Sequence, residues 1–285
     1  MLNRCNLENR EAQHLAETNN DRSRPFVQFG SVLAGAAPFK FNANVNSVFR
    51  GEVLCSDGTT VRAFIKDLDI REFANELLAA AIGLELGLPI PRPIIAKASP
   101  DVISASKIQI PESDSHLVFA SAAASAPPIL QVLRDAGTAS PEVLARLAAW
   151  PDLGRLYGFD TWIANIDRHR GNLLFGGQSD VWLIDHGQCF TGPSWLPATL
   201  NPGTAYRNRL SEWMTPSLSG SRRSEAAGAA VEVGKDISKS KLESLGQDNG
   251  AMTMLLGDFD AIVQFLIARA THVPRLSTAA LGMLI

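Results

Sequence analysis

Strand patterns come first in this chain and helical patterns later. That order predicts an α+β fold in two lobes, a strand-rich N-lobe with one helix and a mostly helical C-lobe. Three observations carry the prediction. VFRGEVLC and TTVRAFIK flank the turn signal Ser56-Asp57-Gly58 and read as a β-hairpin. DIREFANELLAAAIGLELG places Ile70, Phe73, Ala74, Leu77, Leu78 and Ala81 at helical spacing. From SPEVLARLAAW onward the recognisable segments are mainly helical.

Residues 1–24 are polar throughout and read as a flexible tail without the apolar core of a secretory signal. FVQFGSVL is strand-like, and the hairpin follows it. Asp69 is the expected N-cap of the first helix, with Glu72 three positions on, and Gly87 followed by Pro89 ends it. LPIPRPIIA must be extended, because each proline pushes its predecessor out of the α region. HLVFASAAASAPP reads as a strand entering a small-residue connector. A hinge near residues 119–126 then divides an N-lobe (25–120) from a C-lobe (121–285).

Ser140 as N-cap and Pro141 at the first helical position open SPEVLARLAAW. PDLGRLYGFDTWIAN reads as a second helix that delivers the chain into NIDRHRGNLLF, and LLF and VWLI form a short hairpin across GGQSD. Residues 191–250 are rich in Gly, Ser and Pro with little period, so they are expected to be irregular and partly mobile. Within them SLSGSRRSE reads as a flexible solvated loop. DFDAIVQFLIARA is a late helix.

Composition narrows the functional classes. A hydrophobic share of 46% excludes a mostly disordered chain, and a net charge of −3 supplies no field for nucleic acid and no polybasic membrane patch. The three cysteines are scattered without a CxxC pair, which argues against a disulfide framework or a zinc knuckle. No run is expected to reach the length of a membrane span, since LVFASAAASAPPIL is short and broken by prolines. These features predict a cytoplasmic protein with no direct nucleic-acid or membrane partner.

The chemistry concentrates in NIDRHRGNLLF, a polar loop clamped between the apolar segments FDTWIA and LLF. Asp167 and Asn172 share that loop, and Asp185 ends the following hairpin. Asn and Asp are hard oxygen ligands suited to Mg²⁺, which keeps waters and substrate phosphate oxygens in its remaining positions. Asn172 and Asp185 as metal ligands would leave Asp167 to accept a proton from an attacking hydroxyl, which makes a phosphoryl-transfer site. Such a site needs a cation on the triphosphate. Lys66, at the end of TTVRAFIK, is the candidate, with Glu76 from the following helix to hold it and Glu72 as rival.

The series Lys66, Glu76, Asp167-x4-Asn172, Asp185 resembles the protein-kinase-like fold. The form Asp167-Arg168-His169-x-x-Asn172 followed by Ile184-Asp185-x-Gly187 resembles the bacterial HipA-like serine/threonine kinases and the phosphatidylinositol kinases, and ANELLAAAIGLELGLPIP is more similar to the former. The resemblance covers roughly residues 40–190. It implies ATP and Mg²⁺ as cofactors and a protein substrate with a Ser or Thr acceptor. It further implies a toxin-like role with an antitoxin protein as partner.

The backbone of Asn44, Val45, Asn46 and Ser47 would cradle phosphate, although this loop lacks the glycines of the pattern, and Ser47 itself reads as a plain loop serine. Backbone groups of Phe119, Ala120 and Ser121 would read the adenine edge. His186 replaces the aromatic that usually follows the second metal-binding Asp and reads as a packing residue. His169 is expected to brace the loop through a backbone hydrogen bond, and Arg168 to be either a surface arginine or a partner for a carboxylate or substrate phosphate. The five tryptophans read as core. Other readings are a lipid or small-molecule kinase, a nucleotide-binding pseudokinase, and a subunit of a larger assembly.

Overall fold

The computed structural model describes residues 26–39, 46–105, 107–124, 141–175, 181–235 and 237–283. The strand-rich part holds β1 (Gln28–Val32), β2 (Ala37–Pro38), β3 (Val48–Cys55), β4 (Thr60–Lys66), β5 (Pro93–Ala98) and β6 (His116–Ala122). The expected hairpin is present, with β3 and β4 antiparallel and Val48 opposite Lys66. The sheet runs β1-β5-β6-β4-β3-β2, and β1 also pairs with β3, so the strands close into a ring. Only the β1–β5 pair among these is parallel. Val53, Ala63, Ile65, Ile94, Ala96, Val118 and Ala120 fill one face of it.

Helix α1 (Ile70–Glu85) lies between this sheet and the helical part and is buried continuously from Phe73 to Gly83. Phe73 and Leu77 pack with Leu68, Ile95 and Phe119 on the sheet side. Ala74, Leu78 and Ile82 belong instead to the large helical core. A helix apolar on more than one face needs such a two-sided environment. The expected capping box does not form. Asp69 makes no side-chain cap bond, its carboxylate taking Lys107 Nζ at 2.9 Å, while Glu72 accepts from Asn46.

The helical part contains α2 (Pro141–Ala149), α3 (Leu153–Trp162), α4 (Arg209–Met214), α5 (Gly220–Ala230), α6 (Lys239–Asp248), α7 (Ala251–Leu255), α8 (Phe259–Ala270) and α9 (Val273–Ala280). Between α3 and α4 the short antiparallel strands β7 (Leu173–Phe175) and β8 (Val181–Leu183) form the second expected hairpin. Its turn, GGQSD, and the expected cap Ser140 lie outside the described residues.

Residues 191–250 correct the sequence reading, since α4, α5 and α6 occupy much of them. SLSGSRRSE is not a solvated loop: Ser219 Oγ caps α5 by accepting from Arg222 N at 3.2 Å, and Arg222 reaches the Ala148 and Trp150 carbonyls at 2.6 Å each. The small residues that hide the helical period are what let α5 approach α3. A Cβ on Gly154 would lie 2.4 Å from the Ala226 carbonyl oxygen, and one on Gly158 2.5 Å from that of Ala230. Such an approach requires glycine.

The helical stretch Ala251–Ala270 is also long and apolar enough to cross a membrane by length and composition, contrary to expectation. Its Phe259, Ile262, Val263, Phe265 and Leu266 are buried within the fold, as in a core helix.

Candidate active site

The last residue of β4 and the middle of α1 meet at one ion pair. Lys66 Nζ donates to Glu76 Oε1 at 2.6 Å and to Asp185 Oδ1 at 3.0 Å. Glu76 is 2% exposed, so the solvated helix face that competes with pairing does not occur. Its second oxygen, Oε2, accepts the backbone N–H of His186 at 2.8 Å. Burial alone would lower the Lys66 pKa, but Asp185 and Glu76 outweigh it and raise the ammonium above its ordinary value. Burial likewise opposes ionisation of Glu76, and Lys66 and the His186 N–H overcome it, holding the carboxylate well below its ordinary range. The rival Glu72 points elsewhere, accepting from Asn46 Nδ2 at 2.9 and 3.1 Å, and burial raises its pKa despite that bond.

Helix α3 ends into the polar loop through Ala164, which has φ +47. Asp185, Phe190 and Thr191 also sit at positive φ, at +61, +55 and +75. The Thr191 N–H bonds the Ala164 carbonyl at 3.1 Å, so strained positions on both sides of the site brace each other. Residues held in that region cost about 1–3 kcal/mol each and persist where surrounding structure fixes them.

The loop closes on Arg168. This residue is fully buried and not a surface arginine: its Nε and Nη2 pair with Asp160 of α3 at 3.0 Å each, and its Nη1 donates to the carbonyls of Asn172 at 3.1 Å and Ile184 at 2.8 Å. One guanidinium thereby ties the backbone beside Asn172 to the backbone beside Asp185. His169 Nδ1 accepts from Gly171 N at 2.9 Å, bracing the loop as its place suggests. Burial lowers its pKa, with Asp167 opposing.

Asn172 Nδ2 donates to the Asp167 carbonyl at 2.8 Å, which leaves the amide oxygen free as a ligand. Asp185, 45% exposed, commits only Oδ1 to Lys66. An amide oxygen and a half-exposed carboxylate fit Mg²⁺, which takes few protein ligands. Among the described residues no cluster of three or more His, Cys, Asp and Glu side chains could hold a metal, so an all-protein cage is not formed. Asp167 Oδ1 is engaged by Arg209 of α4.

Two of the phosphate-loop candidates, Asn44 and Val45, lie outside the described residues. Asn46 is held by Glu72 and by Lys107 Nζ, which donates to its Oδ1 at 2.9 Å, and Ser47 O accepts from Asp67 N at 3.1 Å. The adenine-edge candidates require a correction. Phe119, Ala120 and Ser121 lie inside β6, paired with β4 on one side and β5 on the other, so their backbone groups are committed to the sheet. Phe119 lies instead beneath Lys66, whose Nζ is 5.8 Å from the ring centroid.

Sequence reasoning missed three residues. Asp160 carries no signal beyond being an acid inside an apolar helix. Asn75, completely buried on α1, donates to the Gly187 and Cys189 carbonyls at 3.0 Å each and accepts from Trp195 Nε1 at 3.3 Å, fixing the chain beyond Asp185. Arg209 lies in the stretch read as irregular.

The family model for HipA-like kinases matches residues 53–200, a span that contains Lys66, Glu76, Asp167, Asn172 and Asp185. The chain belongs to the HipA-like kinase family. No curated protein matches it. Membership makes this chain a kinase-type phosphotransferase by family and implies ATP as phosphoryl donor.

Proposed function

We propose that this HipA-like kinase transfers the γ-phosphoryl of ATP to a Ser or Thr hydroxyl of a protein, in a two-lobed kinase-like fold with its cleft at Lys66. One observation carries the reading: Lys66, locked by buried Glu76, also reaches Asp185, while Arg168 ties the Asp185 strand end to Asn172. That arrangement supports phosphoryl transfer, in which positioning and charge stabilisation supply most of the catalysis. Lys66 would hold phosphate oxygens once they compete with Asp185 for its protons. Asn172 and Asp185 would hold Mg²⁺, whose charge neutralises the transferring phosphoryl when bound. Asp167 would orient the acceptor hydroxyl and take its proton.

A second reading, nucleotide binding without turnover, is favoured by the Arg209 contact on Asp167. Incubation of the chain with Mg²⁺ and γ-labelled ATP, followed by intact mass, separates the two, with Asp167→Asn as control. Phosphate on the parent and none on the control is the expected result. Binding by thermal shift without transfer would favour the second reading, and absence of both would overturn the kinase proposal.

A further inference from the structure

A cavity of about 230 Å³ opens on the far side of the polar loop, lined by the end of α3, the segment 205–211, Arg269 of α8 and the end of α9. Among the described residues its polar wall has three donor atoms left without a hydrogen-bond acceptor. Thr161 is 6% exposed, and its buried hydroxyl makes no hydrogen bond. Arg269 is 2% exposed; its Nε donates to Thr161 O at 2.7 Å and its Nη1 to the carbonyls of Pro202 and Thr204 at 2.8 and 2.9 Å, which leaves Nη2 unused. Asn208 commits its Oδ1 to capping α4 through Ser211 N at 3.0 Å, so its amide N–H groups remain available.

The charge balance at this wall is unusual. Every acceptor that Arg269 bonds is a neutral carbonyl, and among the described residues no carboxylate pairs with it. A buried cation without a counter-ion is costly. In place of a carboxylate, this guanidinium has among the described residues only the faces of the Tyr206 and Phe265 rings, at 5.0 and 5.5 Å from their centroids. Burial, with Tyr206 opposing and Arg275 adding, lowers it to about 10. Nearby acids do not relieve the excess. Among the described residues Glu212 is matched by Arg207 and Asp167 by Arg209, while Arg275, a further cation, donates to the Gly203 carbonyl at 2.9 Å. Asp160 also lines the cavity, but both its oxygens are taken by Arg168 and Asn165.

We propose that this cavity binds a small organic oxyanion, a phosphoryl or carboxylate head on Thr161, Arg269 and Asn208 with its body against Ala164, Leu276 and Ala279. The donors suit either head group, and a cavity of this size exceeds the needs of one water or a bare ion. An occupant would touch Asn165, whose Oδ1 holds the Asp167 N–H at 3.0 Å, and the segment that delivers Arg209 to Asp167. The site is separate from the Lys66 cleft and does not depend on the kinase reading.

The test is thermal melting of the full chain with increasing inorganic phosphate or butyrate, against potassium chloride at matched ionic strength. Two variants accompany it: Thr161→Val removes the hydroxyl without changing shape, and Ala279→Leu narrows the cavity from its exposed rim. A saturable rise with phosphate assigns a phosphoryl ligand, and one with butyrate a carboxylate. Either should weaken roughly fivefold or more in Thr161→Val, the loss of one hydrogen bond to a charged group, and weaken in Ala279→Leu. Without anion, Thr161→Val should melt no lower than the parent, since its hydroxyl has no partner to lose. The proposal is overturned if neither anion raises the melting temperature beyond chloride. It is equally overturned if the rise is the same in Thr161→Val as in the parent, or if that variant is destabilised without ligand.

Discussion

Arg168 shows how much of this site rests on a single buried side chain. Its fork spans Asp160, Asn172 O and Ile184 O, and its own carbonyl accepts from Trp213 Nε1 at 3.1 Å. Lysine carries the same charge but cannot make the bidentate pair and both carbonyl bonds at once. Arg168→Lys keeps the charge but leaves at least one of these buried acceptors without its donor, an expected cost of about 1–3 kcal/mol for each, read as a lower urea midpoint. Phosphoryl transfer should fall with it. A surface arginine would leave the midpoint where it was. The candidate residues could be read from sequence because their chemistry is written in residue type and spacing: Lys66 closing a strand, Glu76 in the next helix, Asp167 and Asn172 in one loop. The role of Arg168 could not, because spacing does not reveal burial. Arg209, 42 positions beyond Asp167, meets it only through the path of the intervening chain.

Among the elements, α1 does the most to connect the two parts of the molecule. It sends Glu76 to Lys66 on the sheet and Asn75 to the turn after Asp185, one residue apart on the same helix. Asn75→Ala would leave the Gly187 and Cys189 carbonyls and the Trp195 N–H without that partner, each a loss of about 1–3 kcal/mol when buried. The expected outcome is a destabilised chain that limited proteolysis cuts within 187–195, where the parent resists. Equal resistance would mean that the segment is held by other contacts. The hairpin, α1 and α8 were legible because large apolar residues keep their period, Ile70, Phe73, Leu77 and Leu78 in α1 and Phe259, Ile262, Val263 and Leu266 in α8. Ring closure was not, because the β1–β3 pairing joins strands whose partners cannot be inferred from alternation. Helix α5 was hidden by its own alanines and glycines, although its cap Ser219 was in plain sight.

For the molecule as a whole, the site imposes a pH dependence whose sign follows from two buried neighbours. Burial lowers the His186 pKa below its ordinary 6.5, so the fold holds the imidazole neutral. Above that value neither state binds the proton. Below it the unfolded chain takes up a proton that the folded chain resists, so stability falls from about pH 6.5 downward until the folded imidazole itself titrates. Glu76, depressed from 4.5, contributes stability that is complete above that pH and is lost as pH falls from there toward its folded value. Glu72 is shifted upward and works in the opposite sense, and His169 adds to the first window. His186→Phe separates the contributions. The ring already meets Phe159 edge-on at 6.1 Å between centroids, its Nε2 is buried without a partner, and the bond to Glu76 comes from the backbone, which phenylalanine keeps. Urea midpoints from pH 7.5 to 3.5 should therefore show a shallower decline just below about 6.5 in the variant, while the fall below 4.5 persists because Lys66 and the backbone N–H still hold the Glu76 carboxylate. An unaltered slope in the upper window would mean that His186 is not the group that titrates there.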